Sequence, residues 1–427
     1  MPISKDQARG IIERLSKGTS LEALKERLRP VPAEERPLAP DVPRPGDAGI
    51  EGRDARRAYL RDLGLELPHL AGEAPQCDPA ELQGNIEQFV GMAQVPVGLA
   101  GPIRINGLHA HGDYPIPLAT TEGALVASYH RGARIVSRAG GVSCLITAEQ
   151  VQRAPAFQFE RLADAAHFAA WVTGEFDRLK AVAATRTSHG ELLDLHVQVE
   201  SRSVYLILSF HTGDAAGQNM VTFCADAICA DLLERTPVAP RAWFLESNMS
   251  GDKKATVLSF LHTRGRRVMA EVMLPRVLVE RALHTTPEMM SEYWRLSFIG
   301  GVQSGSIGVS GHVANGIAAL FIATGQDAAC VSEASVGLTH METTPAGDLY
   351  CGLDLPNLIV GTVGGGTRLP TARECLRIMR CEGEGKAAKF AEIVAGTLLA
   401  GEISIIAAIS AGHFARSHER LGRTPQP

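Results

Sequence analysis

Near the N-terminus Ile11, Ile12, Leu15, Leu21, Leu24 and Leu28 recur among charged residues at roughly helical spacing, which predicts an amphipathic helix within 3–29. Pro30, Pro32, Pro37, Pro40, Pro43 and Pro45 follow at once. Each proline fixes φ and removes a backbone donor, so 30–50 reads as a linker or an extended arm. A short helix is predicted over 55–64, and from about 82 the apolar positions become dense enough for a globular body. The rhythm changes between 158 and 240. A helical stretch at 158–183 gives way to alternating runs at 191–199 and 203–211, then to a glycine-bearing turn and a helix at 217–234. This order describes a compact α+β unit inserted into a larger one. Glycine and alanine are densest in 300–427, where close-packed helices are predicted at 312–324 and 385–412. The expected fold class is therefore α+β. An N-terminal helix and arm occupy 1–81, a large body is formed by 82–157 and 241–427, and the insert is 158–240.

Composition narrows the partners. The 427 residues carry 42 Lys and Arg against 47 Asp and Glu, a net charge of −5, so nothing marks a basic surface for a phosphate backbone and nucleic acid is not expected. The longest mostly apolar stretch, 396–412, is interrupted by Glu402 and by small residues. It reads as too broken for the ~20 apolar residues of a membrane span, and the charged start does not read as a signal peptide. Cys77, Cys144, Cys224, Cys229, Cys330, Cys351, Cys375 and Cys381 stand singly, without Cys-x-x-Cys pairs or histidines at zinc spacing. That pattern points to reduced thiols, a cytoplasmic location and no metal site.

Several short segments carry chemistry-bearing residues, each with a plainer alternative. Ala119-Thr120-Thr121-Glu122-Gly123 precedes an apolar run, so a threonine is expected to cap a helix with Glu122 in its first turn, where the carboxylate would at least complement the helix dipole. The same run places Ser128 and Arg131 three apart, a possible phosphate contact. Ser250-Gly251-Asp252-Lys253-Lys254 is a turn with two lysines, which surface solvation alone would explain. Asp327, in Gly325-Gln326-Asp327, emerges where a helix ends. A carboxylate is disfavoured there, so a nearby cation is expected. Gly213-Asp214-Ala215-Ala216-Gly217-Gln218-Asn219-Met220 joins a strand to a helix and would present backbone N–H groups to an anion, although it is neither a P-loop nor a dinucleotide fingerprint. Gly361-Thr362-Val363-Gly364-Gly365-Gly366-Thr367 suits close approach of a ligand or tight packing equally. His413 and His418 lie in a polar tail, where solvated histidines are common.

Taken in order, these segments resemble the 3-hydroxy-3-methylglutaryl-coenzyme A (HMG-CoA) reductases, in the form without a membrane anchor. The resemblance runs over roughly 82–421 and includes Asn85-Ile86-Glu87 and Val95-Pro96-Val97-Gly98-Leu99-Ala100-Gly101-Pro102 besides the motifs above. It implies reduction of the HMG-CoA thioester to mevalonate and coenzyme A with two reduced nicotinamides in succession. By that resemblance Glu122, Lys253, Asp327 and His418 form the catalytic set. Lys253 stabilises the oxyanion, Asp327 orients it and crowds Glu122 into staying protonated, and His418 protonates the departing thiolate. Asp214, Gly217, Asn219, Gly364, Gly365 and Gly366 are assigned to the cofactor. Arg153, Asp252 and Lys254 fall to the substrate, and Ser128 and Arg131 to the coenzyme A phosphates. The insert becomes a ferredoxin-like cofactor unit, and a homo-oligomer, dimer or tetramer, with its site between subunits is implied.

Arg186, with Thr185, Ser188 and His189, sits where a 2′-phosphate would favour NADPH, with NADH possible if the segment is an ordinary polar turn. Three positions depart from many anchored relatives: His130 replaces an asparagine, Glu246 a serine, and Arg295-Leu296-Ser297 lacks a lysine. They leave two alternatives, a reductase of another branched acyl-CoA and an idle acyl-CoA-binding scaffold.

Overall fold

The computed structural model describes residues 20–74 and 77–413. Ten strands form one continuous sheet: β1 (Val97–Gly107), β2 (His111–Ala119), β3 (Val142–Arg153), β4 (Ala156–Gln158), β5 (Glu191–Glu200), β6 (Ser203–His211), β7 (Ala242–Phe244), β8 (Gly265–Leu274), β9 (Leu338–Thr343) and β10 (Leu349–Leu358). Its main path runs β7-β4-β6-β3-β8-β10-β9, with β1 and β2 joined to the start of β3 and β5 to β6. The longer helices among the described residues are α1 (Leu21–Leu28), α2 (Ile50–Asp62), α3 (Leu125–Arg138), α4 (Leu162–Thr173), α5 (Phe176–Ala184), α6 (Gln218–Arg235), α7 (Pro287–Ser304), α8 (Val313–Thr324), α9 (Pro370–Ile378) and α10 (Ala387–Ser410).

Strand β3 joins the two parts. It pairs with β8 over Ser143–Gln150 and with β6 over Val151–Arg153, so the chain leaves the large body and delivers Arg153 at the junction. Beyond it, β4, α4, α5, β5, β6, α6 and β7 build an antiparallel sheet of order β7-β4-β6-β5. That is the split β-α-β pattern of ferredoxin-like folds. Phe157, Phe159, Phe168, Leu206, Phe210 and Ile228 give this part its own core. The two central strands match the expected 191–199 and 203–211 closely. The helix expected at 158–183 is instead the end of β4 followed by two helices, because Gly174 closes α4 with its N–H on Trp171 O.

The proline-rich segment is a docked strap. The guanidinium of Arg104, fully buried in β1, donates to the carbonyls of Val31 (2.9 Å), Arg36 (2.8 Å) and Pro37 (2.8 Å) and to both carboxylate oxygens of Asp113 (2.8 and 3.0 Å). Prolines lack the N–H that sheet pairing needs, so the strap's carbonyls go without ladder partners, and one buried arginine satisfies three of them. The helix after the strap, α2, starts about a turn earlier than the expected 55–64.

Helix α10 runs unbroken through Gly396, Gly401 and Glu402. By length and composition it would pass for a membrane span, yet most of it is buried against α3, α8 and the sheet. Its small residues serve packing: a Cβ on Gly132 of α3 would lie 1.9 Å from the Ala400 carbonyl oxygen. Its two buried acids are capping groups. Glu392 accepts the N–H of Leu108, His109 and Ala110 in the β1–β2 turn, and Glu402 accepts those of Gly311 and His312 ahead of α8.

Burial pushes both carboxyls up to about 7, against those backbone donors. An acid whose folded pKa lies above its unfolded value near 4.5 stabilises the fold fully below that value, and the contribution is lost as pH rises to about 7. Each group is worth on the order of 3 kcal/mol over that window. The thermal midpoint is therefore expected to fall less between pH 5 and pH 8 in Glu402→Gln than in the parent chain. Superimposable midpoint profiles would place the titration of Glu402 elsewhere.

Candidate active site

Three loops meet beside the junction of the two parts. The first, Gly213–Gly217, ends in a left-handed Gly217 that opens α6. The second follows α8, where Gly325 is the left-handed C-cap. The third is Gly361–Thr367. Thr362 N–H donates to Asp214 O (2.9 Å), and the Gln326 amide bonds both ways with the Gly361 backbone (2.8 and 3.0 Å). A Cβ on Gly325 would lie 2.2 Å from Gly366 O. The glycine cluster thus divides. Gly361 and Gly366 are packing residues, whereas Gly364 and Gly365 have positive φ, and a Cβ on either would meet no atom within 4 Å.

Asp327 leaves this knot as the cap of the next turn, accepting from Ala329 N–H (3.0 Å), and Lys253 Nζ meets its carboxylate at 2.8 Å. The cation expected beside Asp327 is therefore Lys253. Asp327's hydrogen bond raises the lysine pKa. Burial alone would raise Asp327, but the bonds from Lys253 and Ala329 outweigh it and hold the carboxyl below its ordinary range. Both groups are charged at neutral pH. The side chains are 42% and 40% exposed, and such ion pairs are worth about 0–1 kcal/mol. Lys253 has φ +56°, a left-handed conformation that costs a non-glycine residue about 1–2 kcal/mol. The ion pair alone is too weak to hold that loop.

Other expected residues are placed less directly. Arg153 donates to Glu246 (3.2 Å), Asp252 (3.1 Å), Thr222 (2.8 Å) and Gln218 O (3.2 Å), leaving its Nε–H unpartnered among the described residues. Glu246 also accepts from Ser247 and Asn248 N–H and from Ser250 Oγ, so this departure from the anchored relatives organises the lysine loop. Lys254 bonds Asp252 O (2.8 Å). Asp214 caps α10 through Gly385 and Ala387 N–H (2.7 and 3.0 Å), so its carboxylate is already used structurally. Asn219 lies exposed in the first turn of α6. Arg186 is exposed in the turn after α5 and has no carboxylate partner among the described residues. Ser128 and Arg131 do share a face, and both bond Ser404 Oγ on α10 (3.0 Å each).

Glu122 differs from expectation. Helix α3 begins only at Leu125, after a left-handed Ala124, and Glu122 lies in the preceding turn, its N–H on Thr120 Oγ1 (3.0 Å). Its exposed carboxylate accepts from Asn315 Nδ2 (2.7 Å) in the first turn of α8. Asp327 follows the other end of that helix. From Asn315 to Thr324 the axis advances about 14 Å. The expected crowding of Glu122 by Asp327 is absent within one chain. His418 lies outside the described residues.

Arg264, Glu333, Gln218, Gln326 and Asn315 were not singled out from sequence. Gln326 was visible inside its motif, whereas Arg264 and Glu333 look like ordinary charges until their burial is known. Burial pushes the Glu333 carboxyl up, opposed by Arg264.

Residues 52–423 match the family model described as hydroxymethylglutaryl-coenzyme A reductase. The 3-hydroxy-3-methylglutaryl-coenzyme A reductase of Pyrococcus abyssi is 44% identical over 88% of this chain and 94% of that protein. Those of Methanocaldococcus jannaschii (39%; 87% and 92%) and Haloferax volcanii (41%; 81% and 87%) are similar too. Among solved structures, the class II enzyme of Streptococcus pneumoniae bound to NADPH superposes with a TM-score of 0.68 at 19% identity, covering 83% of this chain and 96% of that one.

Proposed function

The chain belongs to the hydroxymethylglutaryl-coenzyme A reductase family, and from that premise we propose how its residues divide the reduction of HMG-CoA to mevalonate and free coenzyme A. The observation that carries the reading is the Lys253–Asp327 contact where the two glycine loops converge. NADPH, when bound, supplies the hydride for each of the two steps. Lys253, kept cationic by Asp327, stabilises the oxyanion formed at the thioester carbonyl and again at the aldehyde. Glu122, oriented by Asn315, handles the proton at that oxygen. His418, assigned by resemblance, protonates the leaving thiolate.

The residues present suit an anionic dinucleotide. The 18-residue α6 offers its N-terminus behind Ala215, Ala216 and Gly217, Gly364 and Gly365 leave the backbone open, and Arg186 is a free surface cation among the described residues. Arg186→Ala is expected to weaken NADPH by about 10- to 100-fold and leave NADH nearly unchanged, measured as paired KM values. Equal losses for both cofactors would remove Arg186 from the 2′-phosphate. Arg153, Asp252 and Lys254 would face the carboxylate end of HMG, and Ser128 and Arg131 the coenzyme A phosphates. Eight unpaired cysteines support a reducing, cytoplasmic setting.

A second copy of the chain completes the site. Glu122 and the Lys253–Asp327 pair lie at opposite ends of α8, and α7 exposes Leu296, Ile299 and Val302 at three-residue steps, an apolar stripe suited to a like surface. The test of the whole reading is NADPH oxidation followed spectrophotometrically with HMG-CoA, mevaldehyde and simple acyl-CoAs. Turnover of the first two supports it. Equal turnover of simple acyl-CoAs would indicate another acyl reductase, and no oxidation would indicate a scaffold.

A further inference from the structure

We propose that the buried Arg264–Glu333 pair is the positioning device that sets Lys253 for catalysis, an inference that rests on Lys253 being the oxyanion stabiliser. Lys253 is left-handed, Gly251 (φ +72°) and Asn248 (φ +65°) in the same loop are left-handed too, and the half-exposed contact with Asp327 is weaker than the strain it would have to hold. Something buried must hold this loop.

Glu333 occupies that place. It lies six residues after Asp327, on the short helix Val331–Ala334 that continues the Asp327 turn, and it is fully buried. One carboxylate oxygen accepts the backbone N–H of Lys253 (3.1 Å), and the other accepts Nε–H of Arg264 (2.7 Å). Arg264 is itself buried and donates onward to Asp252 Oδ1 (2.7 Å), Gln152 O (2.7 Å) and Gln218 Oε1 (3.2 Å). The segment that carries Asp327 thus grips both the backbone of Lys253 and, through Arg264, the side chain of Asp252 beside it. One clamp sets the relative position of the two partners whose exposed ends form the reactive ion pair. Removing its charge frees the lysine loop to leave the left-handed conformation, and Nζ moves away from the place where the oxyanion forms. Oxyanion stabilisation is sensitive to such displacements because donors must already be aimed at the developing charge.

Glu333→Asp keeps the charge but is one methylene too short to reach both Lys253 N–H and Arg264, and Glu333→Gln keeps the shape without the charge. In the full-length enzyme, kcat for HMG-CoA reduction is expected to drop by about 10- to 100-fold in either variant, with the KM for HMG-CoA rising by a smaller factor because Asp252 shares the clamp, and the NADPH Kd within about threefold of the parent. A purely structural role would not produce that split. In a Lys253→Met background Glu333→Asp is expected to cause no further loss of the residual rate, since both changes remove the same interaction. Should Glu333→Gln fail to fold, Glu333→Asp carries the test alone, with its thermal midpoint recorded. Parent-like kcat in Glu333→Asp beside an impaired Lys253→Met would overturn the clamp and leave the lysine assignment standing, as would a full additional loss in the double variant. Parent-like turnover in Lys253→Met would sink the assignment itself and the clamp with it.

Discussion

Lys253→Met is expected to lower kcat for HMG-CoA reduction by about 10²- to 10³-fold while leaving the KM for HMG-CoA within a few fold. The magnitude follows from the loss of one preorganised donor aimed at a developing oxyanion, which costs about 3–4 kcal/mol where it has been measured. Methionine matches the unbranched stem of lysine as far as Cε, so the change isolates the ammonium. Mevaldehyde reduction should suffer comparably, because its carbonyl also passes through an oxyanion. The neighbouring residue supplies the control. Lys254 is exposed and its Nζ bonds a backbone carbonyl, Asp252 O, in the same loop, so Lys254→Met should act mainly on substrate binding. Equal kcat losses in the two variants would show that the oxyanion role belongs to the wrong lysine or to neither.

That Asp327 needs a cation was legible from sequence for a physical reason, whereas the resemblance alone named Lys253 as that cation. Gly325 announces a helix C-terminus, and a carboxylate just past it calls for a cation. Strands β5 and β6 were legible because their apolar residues recur with a period of two: Leu195 and Val197 pack against the core that Val204, Leu206, Leu208 and Phe210 help to form. What escaped was whatever depends on burial at long range. Arg104 looks like any arginine in an alternating run until the strap closes over it, and the segment whose prolines suggested a linker or an extended arm supplies three carbonyl acceptors, those of Val31, Arg36 and Pro37. Arg264 and Glu333 are separated by 69 positions and become a pair only in the folded core. Glu122 was misplaced because the Thr-Thr-Glu pattern fits a helix cap, whereas Gly123 and a left-handed Ala124 delay the helix and aim the carboxylate at Asn315.

That placement of Glu122 leads to the second large effect, recovery of activity from two inactive chains. Within one chain, Asn315 holds Glu122 at the start of α8 and Asp327 holds Lys253 beyond its end. The helix between them advances about 14 Å, far more than the 3–3.5 Å that separates reacting groups in a productive complex. If both residues serve one carbonyl, they come from different copies. A dimer then has two sites, each made of Glu122 from one chain and Lys253 from the other. Pairing a Glu122→Gln chain with a Lys253→Met chain creates one site with both defects and one with neither. Random exchange in an equal mixture makes half of the dimers mixed, each with one intact site of two, so about a quarter of the unsubstituted enzyme's activity is expected from two variants that are each nearly inactive. The measurement is NADPH oxidation before and after mixing, with subunit exchange verified by native mass spectrometry. Exchange without recovery would place both residues in the site of a single chain, and α8 would then have to rearrange on substrate binding to bring its two ends into one reaction.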